Sequence, residues 1–419
     1  MVETERGNFV GDYPPVFYYF AGLFTGSDIA HSVLVMRLVN ALLIVAMVSA
    51  TYLAAPPKLR KPLIGGIVVT AVPLGMFLIP SVNPSSWAVL SAATLLVCVL
   101  GYMTSDERNR RLGLGALAAL SVLIGGGARA DSAMYAVVAV VAGLVLSLRF
   151  DSASLRRAVY PAVLAILAGV SYLLAGQGGV LQDTSGERFS IGGFAQALVD
   201  SLELWAGALG KTGLGWLDTM LPPLVGVAAF GIFLAMVFAA ISRVDLRGGL
   251  ALGLVALVAW AVPAYIKFQS ELSVQPRYVL PLLTLLAGTA MVRMQGKAFG
   301  LGSVQRWVLV LALSVANSVA LHANLRRYVT GIDQPSLNLD AGREWWWDGV
   351  PFSPMGLWAL GSVAFALGLA LLSRELARVA DAEVQPDRQP SGPLVEHDGT
   401  EAMEALPATA SGAGSGHTG

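Results

Sequence analysis

The sequence predicts an all-α protein, a polytopic bundle of membrane-spanning helices. Of its 419 residues, 55% are hydrophobic and only 13% are charged. The apolar residues also occur in blocks of about 17 to 24, the length of helix that crosses a hydrocarbon core. A soluble chain of this size could not cover so much apolar surface. We therefore expect a membrane protein in which most of the chain lies in spanning helices.

The first element is a short apolar segment at residues 14–25. It is too short to span a bilayer, so we expect an interfacial or re-entrant helix. Pro14 and Pro15 would occupy its first turn, where a missing backbone N–H costs nothing. Residues 1–13 before it would form a short extracytoplasmic N-terminus.

Eleven apolar blocks follow and predict eleven spanning helices. Their predicted ranges are 31–54, 62–81, 84–103, 112–128, 131–148, 158–175, 221–242, 249–266, 278–292, 307–324 and 355–373. We expect residues 14–373 to form one membrane domain of these spans. Residues 374–419 are acidic and rich in Gly, Ser, Ala and Pro toward their end, which is typical of a disordered tail.

The positions of Lys and Arg predict the orientation of this domain. The loops on one side carry 17 of the 27 Lys and Arg residues and those on the other side carry nine, while Arg37 lies inside a span. Cytoplasmic loops are enriched in Lys and Arg. The richer side is therefore predicted to be cytoplasmic, with the N-terminus outside and the C-terminus inside.

Two predicted outer loops, 176–220 and 325–354, are long. Within the first, residues 193–209 place apolar side chains at helical spacing, so this stretch is predicted to lie along the outer interface. No sequence repeat is visible, which gives no support to an inverted-repeat transporter.

Composition also restricts the possible ligands. The formal net charge is zero, so the sequence does not predict a nucleic-acid partner. The single cysteine, Cys98, excludes an intrachain disulfide and a cysteine zinc site. The four histidines are scattered, so no histidine-rich metal site is expected. The sequence does not indicate an oligomeric state.

Charged residues inside spans or at their outer ends are the candidates for binding and catalysis, because burying them is expensive. Arg37, in "LVMRLVNALL", either snorkels to the interface or pairs with an anion in a cavity. In "GGGARADSAMY" (125–135), Arg129 and Asp131 flank the outer mouth of two spans. Asp131 is either the N-cap of the second span or part of a site that the three glycines allow the backbone to approach.

Three further outer segments carry candidates. In "GLGWLDTMLPP" (213–223), Asp218 either caps the next span or is a carboxylate at a reaction site. In "SVQPRYVLPLL" (273–283), Arg277 is either an interfacial arginine or a phosphate ligand. In "REWWWDG" (343–349), Trp345, Trp346 and Trp347 form either part of an aromatic belt or a surface for sugar rings. The turn "PSVNPSS" (80–86) is predicted to be structural.

Several segments together resemble one known family, with matching order and spacing over roughly residues 10 to 372. They are "YPPVFYYFAGL", "LVMRLVNALL", "PSVNPSS", "ARADSAMYAV", "GWLDTMLPP", "QPRYVLPLL" and "LRRYVTG". The chain resembles the domain-of-unknown-function 2142 family of bacterial polytopic membrane proteins. That family is in turn similar to the GT-C superfamily of integral-membrane glycosyltransferases.

The resemblance implies an activity in the bacterial cell membrane. A polyprenyl-phosphate sugar would be the donor, and membrane lipid a partner, in the assembly of a cell-envelope glycan. Arg277, Arg129 and Arg37 would hold the donor phosphate, Asp131 and Asp218 would serve the acceptor or act as base, and the three tryptophans would contact sugar. A carboxylate of the family's first outer loop acts as base or binds a metal, so a divalent metal is compatible with this hypothesis.

One feature of the family is missing from the sequence as given. Members begin with a spanning helix and an acidic, His-containing motif before the Pro-Pro-aromatic corner, which here lies at residues 14–19. The resemblance therefore predicts an N-terminally truncated chain, one that could be inactive as a transferase. Two alternatives stay open: a transporter or flippase of an envelope glycolipid, and a non-catalytic membrane scaffold.

Overall fold

The computed structural model describes residues 13–175, 190–211, 214–215, 219–241, 244–269, 274–292, 301–334, 336–347 and 350–384. These residues are helical apart from turns and a single antiparallel bridge between Leu214 and Thr219, which confirms the all-α class. The helices are α1 (Val16–Gly22), α2 (Ile29–Ala54), α3 (Pro57–Leu78), α4 (Ser85–Thr104), α5 (Arg108–Ala128), α6 (Ala130–Ser147), α7 (Ser152–Leu174), α8 (Ile191–Asp200), α9 (Leu202–Ala206), α10 (Pro223–Ala240), α11 (Leu246–Gln269), α12 (Pro276–Val292), α13 (Ser303–Val329) and α14 (Pro354–Val384).

Ten helices in the described part of the chain are long and apolar enough to cross a membrane, namely α2–α7, α10, α11, α13 and α14. The remaining predicted span, 278–292, forms α12, an apolar helix of 17 residues. At 1.5 Å per residue this helix is about 25 Å long, near the lower limit for crossing a hydrocarbon core. The protein is thus a multi-pass membrane protein.

The centre of the bundle is formed by α12 and α4. Every residue of α12 from Val279 to Met291 is buried, and the helix packs against α3, α4, α10 and α11. Small residues allow the close approach of α3, because a Cβ added to Gly66 would lie 3.1 Å from the backbone nitrogen of Gly288. The hydroxyls of Thr70 and Thr284 satisfy each other across the same contact at 2.9 Å.

The periphery is formed by α2, α7 and α14. Only 17%, 17% and 6% of their apolar windows are buried within the bundle. Their outward faces carry large apolar side chains such as Leu42, Ile166 and Leu367. Such faces suit a lipid environment, because exposed apolar side chains cost no free energy where the surrounding medium is hydrocarbon rather than water.

Three contacts between described helix ends agree with the two sets of loops that the Lys and Arg pattern predicts. At one end, Arg157 donates to the carbonyl of Met103, and Arg247 donates to that of Leu148. At the other, the carbonyl of Tyr278 accepts a hydrogen bond from Tyr135. We call these the inner and outer ends, after the predicted orientation; which end faces the cytoplasm stays a prediction.

Helices α5 and α6 meet at the outer end through one non-helical residue. α5 ends at Ala128, Arg129 is extended with φ −153° and ψ 141°, and α6 begins at Ala130. The three glycines Gly125, Gly126 and Gly127 all lie within α5, inside the predicted span 112–128. They make room for neighbours: a Cβ added to Gly127 would lie 2.6 Å from the Cβ of Val16 in α1.

Some predicted boundaries need correction. The short segment predicted at 14–25 forms α1, and Pro15 is its N-cap rather than part of its first turn. The disordered tail predicted from 374 is wrong for residues 374–384, which continue α14 because "RELARVADAEV" is rich in helix formers. Residues 1–12, 176–189 and 385–419 lie outside the described residues. The stretch 193–209 is helical as predicted, but divides into α8 and α9 at Ser201.

Candidate functional site

Four side chains meet at the outer end, where α12 lies beside the junction of α5 and α6. They are Arg129, Asp131, Arg277 and Tyr278, which we call the arginine cluster; Tyr18 of α1 lies close enough for the two positive charges to act on its hydroxyl. The guanidinium carbon of Arg129 lies 4.4 Å from the centre of the Tyr278 ring, and that of Arg277 lies 5.4 Å from it. Arg129 and Asp131, which are two residues apart in the sequence, are thus brought together with the distant candidate Arg277.

Arg129 and Asp131 form a bidentate ion pair. Nε donates to Oδ1 and Nη2 to Oδ2, both at 2.8 Å, and the side chains are only 11% and 19% exposed. Asp131 also accepts from the backbone N–H of Ser132. Asp131 lies in the first turn of α6, but the N-cap is Arg129, so the capping role proposed for Asp131 is wrong. Its negative charge still suits a helix N-terminus.

The ion pair fixes the charge of Arg129. Burial acts to lower the pKa of its guanidinium, but the charge and hydrogen bonds of Asp131, with Tyr278 and Tyr135, together outweigh burial and the pKa rises. Arg129 therefore stays positively charged at physiological pH. Asp131 takes only some of the N–H donors of the guanidinium, which leaves others for an anion.

Arg277 lies in the first turn of α12. Unlike Arg129, it forms no ion pair with a carboxylate among the described residues. Its Nε is buried and has no hydrogen-bond partner among the described residues. A buried, unsatisfied donor costs about 1–3 kcal/mol. The interaction of a cation in the first turn with the helix dipole is also unfavourable, because the N-terminus of a helix carries a partial positive charge. Nothing in the local structure of α12 therefore explains Arg277, whereas an anionic ligand would.

Two tyrosines that the sequence analysis did not single out hold the cluster in place. Tyr135 is 3% exposed and donates from its hydroxyl to the carbonyl of Tyr278 at 2.9 Å, which ties α12 to α6. The ring of Tyr278 supports both guanidinium groups. A signal was available, since Tyr278 follows Arg277 directly and Tyr135 lies one helical turn after Asp131.

Helix α1 brings Tyr18 close to the cluster. Phe17 is buried, and its ring centre lies 5.1 Å from that of Trp87 in α4, which anchors the helix. Burial raises the pKa of the Tyr18 hydroxyl and Tyr13 adds to the rise, while the positive charges of Arg129 and Arg277 oppose it. The Tyr18 hydroxyl therefore stays neutral at physiological pH and can donate a hydrogen bond.

Arg37 has a different surrounding. It is exposed, and its Nε donates to the carbonyl of Pro80 at 2.8 Å. One turn further along α2, buried Asn40 donates to the carbonyls of Ile79 and Ser81 and accepts from Trp87 Nε1. These bonds attach α2 to the turn "PSVNPSS", in accord with its predicted structural role. Asn40 is not among the predicted site residues, although an Asn within an apolar span is itself a signal.

The three tryptophans lie in the loop after α13. The ring centres of Trp345 and Trp347 are 4.8 Å apart and those of Trp346 and Trp347 are 5.0 Å apart. Trp346 donates from its indole N–H to the carbonyl of Phe352. In the described part of the chain, none of these hydrogen bonds and ring contacts joins the arginine cluster. Sugar contact by the three rings therefore stays a prediction.

Asp218 lies outside the described residues, so its predicted role is untested. Near it in sequence, Gly215 has φ +63°, and a Cβ added there would lie 3.1 Å from Cδ and Nε of Arg327. Arg326, the residue before Arg327 in α13, has a buried Nε with no hydrogen-bond partner among the described residues. Arg326 and Arg327 are not among the predicted site residues. Within the same ranges, no group of three or more His, Cys, Asp or Glu residues could hold a metal ion.

Comparison with known proteins identifies the family. No curated protein and no solved structure matches the chain. The model of one family, described as predicted membrane protein (DUF2142), matches residues 1–286. This match includes α1, the α5–α6 junction, Asp218 and the first turns of α12. The chain therefore belongs to the DUF2142 family of predicted membrane proteins.

Proposed function

We propose that the protein is an integral-membrane glycosyltransferase that uses a polyprenyl-phosphate sugar donor to build a cell-envelope glycan. The observation that carries the proposal is the arginine cluster, in which two guanidinium groups contact one tyrosine ring and Arg277 keeps an unpaired Nε. Guanidinium groups bind phosphate oxygens through charge-assisted hydrogen bonds.

The position of the cluster suits a lipid-linked donor. Arg129 joins the outer ends of two spanning helices, and Arg277 lies at the outer end of α12. A phosphate held there would leave its polyprenyl chain in the apolar layer beside the helices. The exposed apolar face of α2, with Leu34, Leu38 and Leu42, offers such a surface near α1.

The cluster would act by positioning charge before the reaction begins. The acceptor hydroxyl oxygen would bond to the anomeric carbon of the sugar, as the bond from that carbon to the phosphate oxygen breaks. Arg129 and Arg277 would stabilise the negative charge on the departing polyprenyl phosphate. Because Tyr278 and Asp131 already hold these groups, little reorganisation would be needed.

The hydroxyl proton needs a base. Both oxygens of Asp131 are occupied by Arg129, so we assign Asp131 a positioning role. Asp218 is then the candidate base, and Trp345–Trp347 would contact the sugar rings. No step requires a metal in this scheme, although the resemblance leaves room for one.

Transfer can be tested with the full chain in lipid nanodiscs. The probes are polyprenyl-phosphate glucose and polyprenyl-phosphate mannose, and the readout is release of polyprenyl phosphate with a labelled sugar on an acceptor. We expect Arg277→Gln and Asp218→Asn each to lower the rate about a hundredfold or more. Arg37→Gln is the matched control and should keep the wild-type rate. Equal rates for wild type and Arg277→Gln would contradict the proposal.

The alternatives predict other outcomes. A flippase would move intact donor across the bilayer, and a scaffold would leave the donor unbound. A transport path calls for polar groups along the spans. The described spans do hold polar side chains, such as the bonded pair Thr94 and Ser121 and the unpartnered hydroxyls of Ser91 and Ser314. The two guanidinium groups that share one ring lie at the outer end, however, and this favours chemistry there.

A further inference from the structure

A second arginine-rich feature lies at the inner end, between α13 and α14. It is a cavity of about 410 Å³, which we call the inner groove. The residues that line it are Arg306, Trp307, Ser373, Arg374, Ala377 and Arg378. The first two lie in the first turns of α13, and the others lie in the last part of α14. The groove is at the opposite end of the bundle from the arginine cluster and has no part in its chemistry.

The groove concentrates positive charge. Arg306 is half-buried and donates to the carbonyl of Leu301 at 3.3 Å. Arg378 lies 4.0 Å from Glu375, whose carboxylate also accepts a hydrogen bond from Tyr52. With three guanidinium groups and one carboxylate nearby, the groove would attract an anion carrying one or more negative charges.

An apolar cleft continues from the groove into the bundle. A smaller cavity of about 40 Å³ shares Arg306 and Ser373 with the groove. Its other walls are apolar side chains of α3, α10, α13 and α14, including Val69, Met236 and Leu369. On the outer side, Trp307 is 52% exposed, as a tryptophan at a membrane interface would be. The feature is thus charged at its mouth and apolar beside it.

We propose that the inner groove binds an anionic phospholipid, with its phosphate against Arg306, Arg374 and Arg378 and an acyl chain along the exposed apolar face of α14, which carries Leu367 and Leu371. Charge complementarity selects the anion, and the adjoining apolar surface selects a lipid over a free phosphate. Basic pockets between spanning helices recognise lipid headgroups in this way. The bound lipid would hold α14 to the bundle. Only 6% of the most apolar stretch of this helix is buried by the rest of the protein.

The proposal is tested with the full chain in nanodiscs of defined composition. Native mass spectrometry counts phosphatidylglycerol, cardiolipin and phosphatidylcholine molecules retained after release from the disc. We expect selective retention of the two anionic lipids. Each of Arg306→Gln and Arg374→Gln should weaken that retention about fivefold, and the double variant about thirtyfold. Arg156→Gln, an exposed arginine of α7 at the same end, is the matched control and should change nothing.

Three outcomes would overturn the proposal. One is retention of phosphatidylcholine equal to that of the anionic lipids, and another is equal loss in Arg156→Gln and Arg306→Gln. The third concerns the chain itself, because residues 385–419 contain Asp387, Glu396, Asp398, Glu401 and Glu404. If a chain ending at Val384 retains anionic lipid and the full chain does not, the occupant of the groove in the full chain is the acidic segment 385–419 rather than a lipid. Melting temperatures and an Arg306→Lys variant, which should retain lipid, separate lost binding from lost folding.

Discussion

Arginine lies at both ends of the bundle, but the two ends hold its charge differently. At the outer end, Arg129 is buried in a bidentate ion pair, and it shares the ring of Tyr278 with Arg277. At the inner end, Arg374 and Arg378 are exposed, and Arg378 forms only a long ion pair of 4.0 Å with Glu375. Arg129 thus has fixed partners before any ligand arrives, whereas Arg374 and Arg378 are largely exposed.

The difference teaches that a count of positive charges predicts orientation but not function. The inner end has more Lys and Arg, as expected of a cytoplasmic side. The outer end has fewer Lys and Arg residues. Burial and neighbouring side chains hold Arg129 and Arg277 in defined positions there. A site that stabilises a transition state needs such preorganised charges, while an exposed groove suits a lipid that exchanges with its surroundings.

The largest expected effect comes from removing the partner of Arg129. Asp131→Asn leaves a buried guanidinium without its carboxylate, so we expect the free energy of unfolding to fall by about 3–5 kcal/mol. The measurement is thermal or denaturant unfolding in detergent. The double variant Arg129→Gln with Asp131→Asn should recover most of the loss, because no charge stays buried. A single variant as stable as the wild type would show that the pair is not buried as described.

Replacement of Tyr278 tests whether its ring organises the two cations. Tyr278→Ala removes the surface that Arg129 and Arg277 share, and the lost cation–π contacts amount to about 2 kcal/mol. Binding of polyprenyl phosphate should weaken about thirtyfold. Tyr278→Phe is the control, because it keeps the ring and the backbone carbonyl that Tyr135 contacts. A similar loss in both variants would assign the effect to the hydroxyl instead.

The sequence predicted the helices well and the cluster only in part. Long apolar blocks determine spans because a bilayer demands a minimum length, and the predicted ranges correspond to the helices of the structure. Arg129, Asp131 and Arg277 were selected one at a time, since each is a charge in an apolar setting. Their meeting depends on α12 packing beside α6, which no local pattern encodes.

The open alternatives at single residues have a physical reason of the same kind. The missing side chains of "GGGARAD" make room for Ser91, Ala133 and Val16. A glycine in a sequence shows that space is needed but not what fills it. Arg37 was grouped with the phosphate ligands because its position in a span is costly; its Nε bonds to a turn in the structure, and its binding of phosphate stays a prediction. Only the neighbouring elements distinguish these cases.

A smaller effect is expected from Gly127, which sets the position of α1. In Gly127→Ala the new Cβ would lie 2.6 Å from the Cβ of Val16 and push α1, with Tyr18, away from the cluster. We expect the free energy of unfolding to fall by about 1–2 kcal/mol, because the cost of overpacking exceeds the gain from the higher helix propensity of alanine. Gly113→Ala in the same helix is the matched control, because nothing lies within 4 Å of its added Cβ. That control should be neutral or slightly stabilising by unfolding measurements.

The smallest effect is expected from Arg37. Arg37→Gln removes one exposed hydrogen bond to Pro80, worth about 1 kcal/mol or less. Binding of polyprenyl phosphate should not change in an isotherm measured beside the wild type. A clear loss of binding would extend the arginine cluster to α2 and so weaken the contrast between the two ends.

The most direct measurement is the dissociation constant for a polyprenyl monophosphate in nanodiscs of phosphatidylcholine, for wild type, Arg277→Gln and Arg306→Gln. A hydrogen bond to a charged group contributes about 1.5–3 kcal/mol, so Arg277→Gln should weaken binding by about tenfold to a hundredfold. Arg306→Gln, at the inner end, should bind as the wild type does. Equal losses in the two variants, or none in Arg277→Gln, would contradict the assignment of phosphate binding to the outer end.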